Sequence, residues 1–143
     1  MSPYCLILCA WAVLAGVLVG VGALFHRLCR TPVAGAEGWL LCFWLGWVWA
    51  VVVAVRWHLV LPIDGWVRNA LAAAGVLGFV LAGRAPWVAL ARGVRTHVPG
   101  LLLLAVVTCW LAERALAGPQ NGDSGFYHIP TVCWSLAYPA VPG

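Results

Sequence analysis

The stretch PYCLILCAWAVLAGVLVGVGALF, residues 3–25, contains no charged side chain. An α-helix rises about 1.5 Å per residue, so a segment of this length crosses a hydrocarbon layer of about 30 Å. The segment lacks the basic start of a signal peptide, and its apolar run is longer than a signal peptide requires. The sequence therefore predicts an uncleaved transmembrane helix here.

Three further apolar windows follow along the chain, at residues 39–61, 66–83 and 98–116. Of all residues, 64% are hydrophobic and only 8% are charged, which is more apolar surface than a water-soluble domain can bury. The lipid bilayer is therefore the expected surroundings of most side chains. The sequence predicts an all-α polytopic membrane protein, with about four transmembrane helices in one bundle over residues 1–117.

Small and aromatic residues indicate which helix surfaces touch each other and which lie at the membrane interface. In the third window, Ala70, Ala74 and Gly78 are spaced for close contact with another helix. The ten tryptophans, Trp39 and Trp87 among them, often fall near predicted helix ends, as interfacial anchors do.

Arginines indicate the orientation of the bundle, because short loops rich in arginine are retained in the cytoplasm. The first and third connections carry Arg27, Arg30, Arg84, Arg92 and Arg95. These two loops are predicted to be cytoplasmic, and the N-terminus and the C-terminal stretch to be outside. The net charge of +4 fits this membrane topology and gives no indication of a nucleic-acid partner.

Cysteine and histidine show no pattern that indicates a bound metal or cofactor. The six cysteines lack the spacing of a metal site, and the four histidines are dispersed along the chain. A haem would need two of these histidines to face each other at one depth in the bundle. The sequence therefore predicts no cofactor.

The composition changes after residue 117 to the polar, glycine-rich segment GPQNGDSGFYHIP, residues 118–130. A turn near its middle would present Asp123 at the outer membrane surface. Pro130 suits the first turn of a short helix, which is predicted near residues 130–137 in the membrane interface. His128 would lie just before that helix.

Three residues of this segment are candidate catalytic groups. The carboxylate of Asp123 could act as a general base toward an acceptor hydroxyl, or it could stabilise a turn. His128 could donate a hydrogen bond to a phosphate leaving group, or it could be a polar residue before a helix. Tyr127 could pack at the interface and direct its hydroxyl group to either neighbour.

A motif of the form D-x-x-x-Y-H-x-P, followed by a tryptophan and by P-x-V-P-G, runs through the C-terminal 21 residues. It is formed by Asp123, Tyr127, His128, Pro130, Trp134, Pro139, Val141, Pro142 and Gly143. This segment resembles the first outer loop of bacterial multi-spanning membrane proteins related to the GT-C glycosyltransferases. The upstream residues Gly38, Phe43, Trp44, Leu45, Gly46, Leu61, Pro62 and Ile63 are also similar to that family.

The resemblance implies transfer of a hexose or pentose from a polyprenyl-phosphate carrier, at the outer face of the bacterial inner membrane. Asp123 would occupy the position of the catalytic base, and Tyr127 and His128 would be motif residues. Many GT-C enzymes carry paired acidic residues in this loop, whereas Asp123 has no acidic neighbour. No metal site is therefore expected from this loop alone.

The resembling proteins continue through many more spans after P-x-V-P-G, whereas this sequence ends at Gly143. We therefore expect residues 118–143 to be a truncated outer loop, and the chain to be the N-terminal part of such an enzyme, inactive alone. The alternative is a small four-helix membrane protein without catalysis, which acts as a scaffold or assembly partner. A third possibility, a haem or quinone protein, would be recognised by its chromophore.

Overall fold

The computed structural model describes residues 2–33, 35–117 and 128–140, and all regular structure within these ranges is helical. The helices are α1 (Pro3–Leu28), α2 (Gly35–His58), α3 (Gly65–Ala82), α4 (Ala85–Thr96), α5 (Val98–Leu116) and α6 (Ile129–Ala137). Four of them, α1, α2, α3 and α5, are long and apolar enough to cross a membrane. The predicted all-α membrane fold, with four spans and a short C-terminal helix, is confirmed.

The predicted helix bounds agree with the structure to within four residues. The largest difference is at α2, which begins at Gly35 instead of residue 39 and ends at His58 instead of residue 61. Glu37 lies in its first turn, where the positive end of the helix dipole favours an acidic side chain. The helix therefore starts before the charge-free run by which it was predicted.

Helix α1 lies between α2 and α3 and packs closely against both. Gly22 on α1 faces Cys42 on α2, and Leu18 faces Gly46 one turn further along, so these helices are antiparallel. A Cβ atom added to Gly22 would lie 2.7 Å from the Cα atom of Cys42, which leaves no room for a side chain. These contacts join backbone to backbone and fix the separation of α1 and α2.

The contact between α1 and α3 also depends on glycine. Val17 and Gly20 on α1 face Gly75 and Gly78 on α3, so these two helices are parallel. A Cβ atom on Gly20 would lie 2.7 Å from the Cα atom of Gly75. We call the five close-contact glycines of the three helices the glycine seam: Gly20, Gly22, Gly46, Gly75 and Gly78.

The glycine seam corrects the predicted contact face of α3. Gly78 is buried as expected, but Ala70 is exposed and Ala74 is only half-buried. Gly75 takes the expected place of Ala74 in the contact with α1. One residue along a helix turns the side chain by about 100°, so the face is rotated toward the position that lacks a Cβ atom.

Helix α4 corrects the expectation of a loop between the third and fourth spans. Arg92 and Arg95 lie three residues apart on one face, while Trp87 and Val94, seven residues apart, share another face. Such a helix is typical of the membrane interface, where its charged face meets water. It was missed because its apolar run, residues 85–91, is much too short to cross a membrane and contains a proline.

An aromatic cluster of Trp39, Phe79 and Trp87 joins α2, α3 and α4. The ring centroids of Trp39 and Trp87 are 4.8 Å apart, and those of Phe79 and Trp87 are 5.1 Å apart. Trp39 is only 5% exposed, so it packs inside the bundle and is not the interfacial anchor that was predicted. The cluster fixes α4 to the ends of α2 and α3.

Helix α5 lies at the periphery, because Ala112 is its only buried residue. It contacts α1, and the hydroxyl group of Tyr4 donates a hydrogen bond to the carbonyl oxygen of Cys109 at 3.4 Å. The leucines of its first half, such as Leu102 and Leu103, are exposed on several sides. In a membrane these side chains contact lipid acyl chains.

The bundle has two ends with different charge. The arginine end comprises the end of α1, the start of α2, the end of α3, α4 and the start of α5, and carries five arginines and one glutamate. The opposite end, which we call the α6 end, comprises the start of α1, the end of α2, the turn at residues 59–64, the start of α3, the end of α5 and α6. Its described residues carry three arginines, Arg56, Arg68 and Arg114, and two acidic residues, Asp64 and Glu113.

Candidate functional site

The structure describes one of the three predicted site residues. Asp123 and Tyr127 lie outside the described residues. His128 directly precedes α6, as expected, and its exposed side chain makes no capping hydrogen bond to the helix. Helix α6 begins one residue before the predicted position, and Pro130 lies in its first turn, where a missing N–H group costs little.

Helix α6 is joined to the turn between α2 and α3 by a backbone hydrogen bond. The N–H group of Ile63 donates to the carbonyl oxygen of Ser135 at 2.8 Å. In a continuing helix that carbonyl would accept from residue 139, but Pro139 has no N–H group. The proline therefore leaves an acceptor on α6 that a distant residue can use.

A second hydrogen bond joins the same two segments by the same principle. The N–H group of Ala140 donates to the carbonyl oxygen of His58 at 2.7 Å. The residue four positions after His58 is Pro62, which again has no N–H group to donate. We call this pair of hydrogen bonds the α6 junction. Each segment supplies one amide and one carbonyl. Each carbonyl lacks a helical partner because the residue four positions later is a proline.

The turn that receives α6 is itself held by side-chain hydrogen bonds. The indole Nε1 of Trp57 donates to the carbonyl oxygen of Pro62 at 3.0 Å, which closes the end of α2 over the turn. The carboxylate of Asp64 accepts from the backbone N–H of Trp66 at 3.0 Å and caps α3. The α6 junction therefore rests on a turn that is fixed on both sides.

His58 is a residue of this end to which the sequence assigned no catalytic or binding role. Its side chain is half-buried, and Nδ1 is buried without a hydrogen-bond partner among the described residues. Its carbonyl oxygen belongs to the α6 junction, so its backbone lies beside Ala140, just after α6. The sequence feature that could have indicated this contact is the pair of prolines, Pro62 and Pro139, because each leaves a carbonyl oxygen without a helical donor.

The outer surface of α6 is apolar. Ile129, Val132, Trp134 and Leu136 are each more than half exposed. The rings of Trp134 and Tyr138 pack with centroids 4.8 Å apart. Such a surface on a short helix is typical of the membrane interface, where apolar side chains enter the lipid and polar groups stay in water. No cluster of three metal-binding side chains occurs in the described part of the chain.

Four membrane-spanning helices, with a short helix joined to one end of the bundle, define the chain as a polytopic α-helical membrane protein. Residues 5–143 match the family model described as a domain of unknown function, DUF8201, and the chain belongs to that family. No curated protein and no solved structure matches the chain.

Proposed function

We propose that the chain is the N-terminal membrane part of a glycosyltransferase that takes its sugar from a polyprenyl-phosphate carrier. The observation that carries the proposal is the α6 junction. It joins two separate stretches that resemble the GT-C-related family, Leu61 to Ile63 and the C-terminal motif that contains Pro139. Both stretches contain a proline that makes the junction possible. Each proline lacks an N–H group, so a carbonyl in its own stretch stays available to accept a hydrogen bond from the other stretch.

The proposed chemistry belongs to the segment before α6. The Asp123 carboxylate takes the proton of an acceptor hydroxyl group as that oxygen bonds to the anomeric carbon of the sugar. The bond between that carbon and the carrier phosphate breaks, and its electrons leave with the polyprenyl phosphate. His128 donates a hydrogen bond to the departing phosphate, and Tyr127 orients one of these two groups.

The proposed location is the outer face of a bacterial cytoplasmic membrane. Support for this orientation comes from the charge difference between the two ends of the bundle. Five arginines lie at the arginine end, and segments rich in arginine are retained in the cytoplasm. His128 and α6 lie at the opposite end, on the side where polyprenyl-linked sugars are used.

Two native cysteines offer a direct test of the orientation. Cys29 ends α1 at the arginine end, Cys133 lies on α6, and both are exposed. Two chains are made, each retaining one of these cysteines, with the other five changed to alanine or serine. We expect an impermeant maleimide to label the Cys133 chain in intact cells and the Cys29 chain only after lysis. The reverse pattern would contradict an outer catalytic segment.

The enzymatic part of the proposal is tested by transfer of radiolabelled sugar from a polyprenyl-phosphate donor. Membranes contain the protein expressed from its whole gene, in its natural form or with Asp123→Asn. We expect Asp123→Asn to lower the transfer rate at least a hundredfold, within the range of general-base catalysis. The matched control is Asp64→Asn, which keeps the cap of α3 and should keep the rate.

Two outcomes would overturn the enzymatic proposal. Equal transfer by the natural protein and the Asp123→Asn variant would remove Asp123 from the reaction. A natural protein that is correctly inserted but transfers no sugar from any donor would favour the non-catalytic scaffold.

A further inference from the structure

A cavity of about 570 Å³ opens at the arginine end, away from the α6 junction. Its wall is formed by the last turn of α1, by the link between α1 and α2, and by Leu81 and Ala82 at the end of α3. Three basic side chains line it, those of His26, Arg27 and Arg30. The volume falls within the range of small-molecule sites.

His26 forms a buried part of the cavity wall. The side chain is only 8% exposed, and Nδ1 lies 2.8 Å from the hydroxyl oxygen of Thr31. The single hydrogen of that hydroxyl group can be donated to Nδ1 or to the carbonyl oxygen of His26 at 3.3 Å. Nε2 is buried out of reach of solvent and has no hydrogen-bond partner among the described residues. The imidazole therefore forms part of the cavity wall and offers no atom to a ligand.

Arg30 occupies a backbone position that favours glycine. Its φ angle is +57°, the only positive φ among the described non-glycine residues. The N–H of Arg30 bonds the carbonyl of Arg27, and the N–H of Thr31 bonds that of His26, as in the Schellman motif that ends many helices at a glycine. An arginine occupies this position despite the strain, and strain of this kind is found more often at functional sites.

The guanidinium groups of Arg27 and Arg30 have no acidic partner in the described part of the chain. Glu37 is the acidic residue of this end, and it does not line the cavity. Guanidinium groups bind phosphate through paired N–H donors, so the two arginines of this cavity make a set of phosphate ligands. The carbonyl groups that end α1 oppose an anion less than usual, because Arg30 and Thr31 already donate to them.

We propose that this cavity binds a phosphate group through the guanidinium groups of Arg27 and Arg30. It lies at the ends of two membrane-spanning helices, at the depth of lipid headgroups, where basic pockets between helices bind anionic lipids. The phosphate belongs either to an anionic lipid headgroup or to a free phosphate ion. The site is at the opposite end of the bundle from the proposed sugar-transfer segment and does not depend on that function.

The test measures the thermal unfolding of the purified chain in a neutral detergent by tryptophan fluorescence. Phosphatidylglycerol, phosphatidylcholine or inorganic phosphate is added over a range of concentrations. A ligand that binds only the folded chain raises the unfolding temperature, and the dependence on concentration gives an apparent affinity. We expect phosphatidylglycerol to raise the midpoint and phosphatidylcholine to leave it unchanged.

Two variants remove the ligands while preserving the fold. Arg30→Gly places glycine at the positive φ angle, so the chain without ligand is as stable as before or more stable. Arg27→Gln removes the second guanidinium group and keeps a side chain that suits the last turn of a helix. Each should weaken the apparent affinity about tenfold or more, because each removes a charge-assisted hydrogen bond. The matched control is Arg92→Gln, which removes an arginine of α4 outside the cavity and should leave the affinity unchanged within about twofold.

The outcomes separate the sources of the phosphate and decide the proposal. Stabilisation by phosphatidylglycerol that Arg30→Gly abolishes and Arg92→Gln retains supports a lipid site. Stabilisation by inorganic phosphate at comparable concentration, with the same response to the variants, supports the site and makes free phosphate its ligand. Equal losses in Arg30→Gly and Arg92→Gln would overturn the proposal in favour of general surface charge. Unchanged unfolding with every addition would also overturn it.

Discussion

The glycine seam and the α6 junction attach helices to the bundle in different ways. In the seam, glycines on α1, α2 and α3 let three helix backbones touch over several turns. At the junction, α6 is held through two backbone hydrogen bonds, while its apolar side chains remain exposed. The seam depends on absent side chains, and the junction depends on absent amide hydrogens. A change that adds a methyl group should therefore damage the first, and a change that adds an N–H group should damage the second.

The largest expected effect comes from adding one methyl group to the seam. In Gly22→Ala the new Cβ would overlap the backbone of Cys42, so α1 and α2 would have to separate. We expect a loss of about 3 kcal/mol or more in the free energy of unfolding, at or above the upper range of overpacking changes. Unfolding can be followed by tryptophan fluorescence during a titration of detergent micelles with sodium dodecyl sulfate.

The matched control for this substitution is Gly16→Ala on the same helix. A Cβ at Gly16 meets no atom within 4 Å, so the chain should be unchanged or slightly more stable. If Gly22→Ala unfolded at the same dodecyl sulfate concentration as Gly16→Ala, the close approach of α1 and α2 would be wrong.

The sequence was sufficient to predict the four spans, because length and composition decide whether a helix can cross a membrane. It also predicted α6, since Pro130 and Pro139 limit where a short helix can begin and end. The contact face of α3 was not predictable from α3 alone. Ala74 and Gly75 are both small, and the choice between them depends on Gly20 of the partner helix.

Two parts of the candidate sites depend on residues far apart in sequence. Nothing near Ser135 indicates that its carbonyl accepts from Ile63, although Pro139 shows that the carbonyl is available. The cavity beside His26 needs the end of α3 as its second wall, and this wall follows from the parallel contact of α1 with α3. Local patterns identified the groups, and packing between helices decided which groups meet.

The next largest effect is expected from truncating a leucine in the bundle centre, compared with one on the peripheral helix α5. Leu18 on α1 is 3% exposed, whereas Leu103 on α5 is 66% exposed. In lipid, truncation removes mainly packing contacts, so Leu18→Ala should lower the free energy of unfolding by about 2 kcal/mol. Leu103→Ala should change it by less than about 0.5 kcal/mol. Similar losses in the same dodecyl sulfate titration would mean that α5 packs as tightly as α1.

A smaller effect is expected at the turn that receives α6. Asp64 caps α3 through its carboxylate, so Asp64→Ala should lower the free energy of unfolding by about 1 kcal/mol. Asp64→Asn retains a side-chain oxygen and should cost only a few tenths of that. Both variants are compared by thermal unfolding at one detergent concentration. An equal loss in the two variants would show that the charge of Asp64, and not its capping bond, stabilises the turn.

The smallest expected effect is a local change at the α6 junction. Pro139→Ala supplies an N–H group that competes with Ile63 for the carbonyl oxygen of Ser135. The last turn of α6 can then form this hydrogen bond within the helix. A hydrogen bond of this kind contributes about 1 kcal/mol, and its loss should speed amide hydrogen exchange at Ile63 about fivefold. Global unfolding should not change, because the glycine seam is not affected. The control is Pro99→Ala in the first turn of α5, which should leave exchange at Ile63 as it is.

Exchange at Ile63 that is already fast in the natural chain would mean that α6 is not held at this turn. The reciprocal bond from Ala140 to His58 should then be equally open, since both bonds join the same two segments.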